Sequence, residues 1–302
     1  MPEIFYFWFM LWTLLPLLQN LPPSAEDEFY LPIWVVPLLL GIVSFSILIK
    51  LLKLLEHGYA GIFDKPVYRN LFIYKKLPKA DRAFLKKQFV FYNCLSRKDR
   101  RLLNHRMLEF ISEVKFEGME GLQLTREMEL VTAAYAGLLC LGRKYHSYPL
   151  IETVRVYPEE FYNEMQDRYF KGAFLPMWKT LAFSWKAVSE PQQGHRNLLI
   201  HELMHALQWE SRLSQNFDAE RFQKYFKKIV KKLQDKEVKA RVDSGFFREY
   251  AFTNEFEFMA ELGEYFFQSP MEFKNNLPEL FVYMQKIFNI DIQSITNCDE
   301  TV

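Results

Sequence analysis

The chain is 302 residues long and half of it is hydrophobic, enough for one sizeable folded domain with further segments attached. Its formal net charge of +1 offers no global argument for nucleic-acid binding or for an acidic substrate. Cys94, Cys140 and Cys298 are odd in number and widely spaced, which excludes a disulfide framework or a Cys-type zinc site and suits a reducing compartment.

Residues 4–18 are uncharged and strongly apolar, and a second uncharged run from Tyr30 to Ile49 has about the twenty residues needed to cross a bilayer. The first run reads as a spanning helix, a cleaved signal or an interfacial helix. Met1-Pro2-Glu3 supplies no basic flank, and Pro22-Pro23-Ser24-Ala25 is a poor cleavage site. The connector carries Glu26, Asp27 and Glu28, whereas Lys50, Lys53, Lys65, Arg69, Lys75, Lys76 and Lys79 follow the second run. Positive flanks stay on the cytoplasmic side. The expectation is a membrane hairpin over residues 1–58 (apolar segments 4–18 and 30–52), a basic linker over 59–89, and a soluble domain over 90–302 facing the cytoplasm.

In that domain, Ser96-Arg97-Lys98-Asp99 starts a helix with a capping box, and Leu102, Leu103, Met107, Phe110 and Ile111 follow at helical spacing. Phe116 to Leu124, with two glycines, reads as a turn with short extended pieces. Thr125 caps a helix over Glu127–Leu141, whose small residues Ala133, Ala134, Ala136 and Gly137 allow close packing, with the helix around His201 as the expected neighbour. Thr153–Tyr157 and Thr180–Trp185 read as strands.

Asn197 to Glu210 is the centre of the chain's chemistry. His201-Glu202-Leu203-Met204-His205 is an HExxH pattern, and on a helix residues four apart share a face. The two imidazoles then aim at one point, a chelate suited to Zn²⁺, while Glu202 stands where it can take a proton from a metal-activated water. Leu198, Leu199, Ile200, Leu203, Met204 and Leu207 make the helix apolar on most sides. Polar groups buried there need partners, either a metal or other core groups.

Phe217–Lys239 reads as a charge-rich helix with Phe222, Phe226, Ile229, Val230 and Leu233 inward. Asn254 then caps a helix that bears Glu257, Glu261 and Glu264 among Phe256, Phe258, Met259, Leu262, Tyr265 and Phe266. Glu257 also sits at the capping-box position, but a row of acids on so apolar a helix calls for a cation, and a third metal ligand is expected from residues 250–267. Leu277–Ile290 closes the domain as an amphipathic helix.

Five stretches together resemble the Mlc titration factor A family of zinc-dependent peptidases, relatives of the zincins with a glutamate third ligand. They are Phe116–Thr125, Val156–Pro158, Leu181–Trp185, Gly194–His205, and Tyr250-Ala251 with Glu257 and Glu264–Phe267, in the family's order over roughly residues 90–290. The resemblance implies an α+β, mainly helical, zincin-like domain holding one Zn²⁺ per chain on His201, His205 and Glu257. It implies Glu202 as general base and Tyr250 as hydrogen-bond donor to the oxyanion, in hydrolysis of a peptide or protein substrate. Glu264, Glu261 and Gln208 are the candidates for orienting the ligands. Leu181, Ala182, Phe183, Ser184 and Trp185 occupy the place of the zincin edge strand that holds the substrate backbone, or else form an ordinary internal strand. His195 is expected to cap or pack. The chain departs from the family pattern at Gln208 and Arg248, where aspartates are usual, and has no histidine between His146 and His195. Two further readings are a binding protein that sequesters a regulatory partner, such as a transcriptional repressor, and a membrane-tethered scaffold with a structural zinc.

Overall fold

The computed structural model describes residues 35–63, 74–144, 148–163, 167–190, 194–242, 247 and 254–296. The chain divides into two compact units, residues 1–54 and 55–302.

The described part of the first unit is the beginning of helix α1 (Val35–Phe63). At 1.5 Å per residue this helix is about 43 Å long, more than the ~30 Å of a hydrocarbon core. Its large apolar side chains from Val36 to Leu54 are exposed, and its most apolar window has a mean hydropathy of 2.5. It is the one helix long and apolar enough to cross a membrane among the described residues. The helix continues past Leu52 to Phe63, so the start of the expected basic linker is helical. The other arm of the predicted hairpin, residues 4–18, lies outside the described residues.

The second unit is mainly helical around a small sheet. After the short helices α2 (Lys79–Gln88) and α3 (Val90–Cys94) comes α4 (Arg97–Glu113), started as predicted by Ser96 Oγ accepting from the Asp99 N–H at 3.1 Å. Strand β1 (Lys115–Gly118) leads to α5 (Arg126–Cys140), capped by Thr125. The small-residue face of α5 meets chiefly α4: a Cβ on Gly137 would lie 2.7 Å from a Leu103 methyl. Helix α5 also touches the HExxH helix, as expected.

Strand β2 (Thr153–Tyr157) is followed by a small hairpin, β3 (Phe161–Asn163) and β4 (Arg168–Phe170), then β5 (Gly172–Leu175) and β6 (Thr180–Ser184). The main sheet has the order β1–β2–β6–β5, with the first three parallel and β5 antiparallel to β6. Val154 and Val156 alternate inward along β2, while all five residues of β6 are buried. That pairing bears on the two readings of residues 181–185. Leu181, Ala182, Phe183 and Ser184 are an internal strand, bonded on both sides, and Trp185 opens the short helix α6 (Trp185–Ser189). Their backbone is already committed to the ladder. The edge is β5.

The HExxH helix α7 (Leu198–Leu213) packs on β5 and β6. The predicted helix over Phe217–Lys239 is two helices, α8 (Phe217–Lys232) and α9 (Lys236–Arg241), because Asp235 caps a new start. Helices α10 (Glu255–Gln268), α11 (Pro270–Asn276), α12 (Pro278–Phe288) and α13 (Gln293–Thr296) complete the fold, with α10 against α7 and α12 against α8. Cys140 is a free, buried thiol.

Candidate metal centre

Local sequence sets the two helices that build the site. Asn197 Oδ1 accepts from the Ile200 N–H at 3.0 Å and starts α7, which fixes the face on which His201 and His205 fall. Asn254 Oδ1 accepts from the N–H groups of Phe256 (2.8 Å) and Glu257 (3.0 Å) and starts α10. The Glu257 carboxylate itself is turned toward α7. The buried ion pair between Arg143 and Glu210 (3.1 Å) anchors the far end of α7.

Close approach of α7 and α10 depends on Gly263. A Cβ there would come within 2.5 Å of Met204 Cγ. Without it, carboxylates on α10 reach imidazoles on α7. His201 Nε2 lies 3.0 Å from Glu257 Oε2, and His205 Nε2 lies 3.6 Å from Glu257 Oε1. One donor atom from each of His201, His205 and Glu257 falls within 4.8 Å of the others. Tetrahedral ligands on zinc at 2.0–2.1 Å stand roughly 3.3 Å apart, so this donor set fits Zn²⁺ in both chemistry and spacing.

Glu264 stands behind His201: its Oε1 is 2.8 Å from His201 Nδ1, and its Oε2 accepts from the Asn197 N–H at 2.6 Å. This carboxylate selects the ring orientation that turns Nε2 toward Glu257. Burial disfavours the His201 imidazolium, but the bonds to Glu257 and Glu264 outweigh it and raise the pKa to about 10. Burial also works against the Glu257 carboxylate, yet the two histidines hold its pKa well below the usual carboxylate range.

Glu202, 6% exposed, projects from the adjoining face of α7 toward β5. Its Oε2 accepts from the Phe174 N–H at 2.8 Å. A Cβ on Gly172 would lie 2.9 Å from its Oε1, so the edge strand leaves room for this carboxylate only because residue 172 is glycine. Burial pushes the Glu202 pKa up, against the pull of His201 and His205 and the Phe174 N–H. Such a carboxylate is more basic than an exposed one and suited to moving a proton.

The structure therefore brings together His201, His205, Glu257, Glu202 and Glu264. It places the other two ligand-orienting candidates elsewhere. Glu261, fully buried, has an oxygen 3.3 Å from His195 Nε2, and the His195 ring stacks on Tyr265 with centroids 3.4 Å apart. His195 thus packs, as expected. Gln208 is fully buried, and neither of its amide atoms has a hydrogen-bond partner among the described residues. Among the described residues it makes no bond to His201 or His205. Tyr250 and Arg248 lie outside the described residues. The sequence reading missed Gly172 and Phe174. Their only signal was a glycine inside the apolar run Phe170-Lys171-Gly172-Ala173-Phe174-Leu175, a pattern that marks close backbone approach.

Residues 67–289 match the family model described as glucose-regulated metallo-peptidase M90. The chain is also 26% identical over 296 residues to an uncharacterized protein of Synechocystis sp. (strain ATCC 27184 / PCC 6803 / Kazusa), with 87% of this chain and 98% of that one covered. With a geometry that fits a metal-dependent hydrolase and a family match over most of its length, the chain belongs to the glucose-regulated metallo-peptidase M90 family.

Proposed function

We propose that this protein is a membrane-anchored, zinc-dependent peptidase with its hydrolytic domain on the cytoplasmic side. The observation that carries the reading is the placement of Glu202: a buried carboxylate held by an edge strand, one residue from a His–His–Glu donor set on the adjoining face. A bound zinc ion would act as a Lewis acid toward the scissile carbonyl and make water nucleophilic at neutral pH. His201, His205 and Glu257 would hold it, with Glu264 orienting His201.

Phe174 N–H fixes one oxygen of Glu202, and the other takes the proton of the attacking water and delivers it to the leaving amine. Tyr250 serves as donor to the developing oxyanion, a role carried by the family resemblance. Because β6 is internal, the substrate backbone is assigned to the β5 edge. Helix α1 is the anchor. Its apolar length supports a span, and the lysines that follow it support a cytoplasmic domain.

Glu202→Gln tests this reading. Gln is nearly isosteric but accepts no proton, and general-base catalysis contributes about 10²–10⁴-fold. Peptide hydrolysis by the full chain in detergent is expected to fall at least about a hundredfold, with zinc content and melting temperature little changed. Equal hydrolysis by both proteins would remove Glu202 from the mechanism.

A further inference from the structure

The ligand face of α7 does not end at His205. Trp209, Arg212 and Leu213 continue it at eight, eleven and twelve residues from His201. Most of α7 is buried, yet Trp209 is 36% exposed and Leu213 66% exposed, and Arg212 is exposed beside them. These side chains are organised around Phe256, the residue before Glu257. The Trp209 ring lies 5.8 Å from the Phe256 ring, the Arg212 guanidinium sits over it at 4.1 Å, and Phe256 lies 6.5 Å from His205. The result is a partly exposed aromatic and cationic platform that runs without a break from a metal-ligating histidine to the surface.

Single exposed apolar residues are ordinary, but here two adjoin on one helix face beside the donor set. An aromatic ring already packed on one side offers its other face at little entropic cost, and a guanidinium held over a ring presents a second planar surface. Four residues of helix separate Trp209 from His205, an axial distance of about 6 Å. An extended peptide covers that distance in about two residues. We infer that the Trp209–Phe256–Arg212 platform is the subsite that receives an aromatic side chain of the peptide substrate, within two residues of the scissile bond. This specificity assignment rests on the peptidase reading above.

The test uses the full chain in detergent and peptides of fixed sequence that carry either Phe or Ala at one position within two residues of the scissile bond. Two readouts run in parallel: kcat/KM with the zinc-loaded protein, and Kd by calorimetry with the Glu202→Gln protein. The Phe peptide is expected to be favoured by about tenfold or more at one position. Trp209→Ala should bring that ratio close to one, and Trp209→Phe should restore most of it. Arg212→Ala, a surface change, should lower it partly and carries the test if Trp209→Ala does not fold. A Phe-to-Ala ratio that is unchanged in both variants, or is near one at every position in the unaltered protein, overturns the subsite and leaves the peptidase reading intact. Discrimination in Kd that depends on Trp209, with no hydrolysis of any peptide, keeps the subsite and removes the peptidase reading. Neither discrimination in Kd nor hydrolysis overturns both.

Discussion

Two of the histidine–glutamate pairs that join the same two parts of the molecule differ in kind, and only one of the two belongs to the candidate metal site. His201 meets Glu257, and His195 meets Glu261 one helical turn further along α10. Both pairs are largely buried, and their separations are similar, 3.0 and 3.3 Å. The difference is convergence. Glu257 faces a second imidazole, His205, so three donors point into one space. Among the described residues Glu261 faces one imidazole, that of His195, and one face of that ring is covered by the Tyr265 ring. A pair satisfies two buried groups; a third inward-pointing donor makes a place for a cation.

Removing one acid at a time separates the two pairs. Glu257→Ala should take the zinc content of the full chain, measured by elemental analysis after zinc-supplemented expression, from about one equivalent to less than a few tenths. Glu261→Gln should leave it at about one, with any cost appearing in melting temperature alone. If the two results exchange, the ligand is Glu261.

A smaller effect is expected one step behind the ligands. Glu264→Ala leaves His201 Nδ1 and the Asn197 N–H without their acceptor, and loss of such a carboxylate typically lowers metal affinity about 10- to 100-fold. Competition with a chromogenic chelator would measure it. Unchanged affinity would confine Glu264 to holding the start of α7.

The smallest and most specific effect is on protons. Without metal, His201 stays protonated up to about pH 10, whereas a metal-ligating imidazole must be neutral. Zinc uptake near pH 7 should therefore release a proton from His201, visible in calorimetry as a heat that varies with the buffer's ionisation enthalpy. For this group alone, apparent affinity should rise about tenfold per pH unit between pH 7 and 9. The same shift works in the opposite direction on the metal-free fold. Its pKa is raised above the ordinary 6.5, so the stability it contributes is complete below about pH 6.5 and is lost as pH rises through about 10. Zinc binding with no proton release would show that His201 is already neutral, and that Glu264 orients it without charging it.

Much of this was legible in one dimension because its cause is local. Spacing of four on a helix puts His201 and His205 on one face, Asn197 and Asn254 announce the starts of α7 and α10, and Ser96 and Thr125 those of α4 and α5. Each depends on backbone groups only a few residues away. What tertiary structure alone decided concerns groups far apart in sequence. Strand order made β6 internal and β5 an edge, although β6 is the longer strand, because order is set by which backbones pair and not by either strand's composition. The same docking gave Glu202 an N–H from Phe174, 28 residues earlier. Glu257, Glu261 and Glu264 read alike as acids on an apolar helix. The contact of Gly263 with Met204 fixed how closely α10 lies against α7, and with it which acid meets two histidines, which meets one, and which stands behind. Helix periodicity determines which side chains share a face; the depth at which two helices interlock determines what that face can hold.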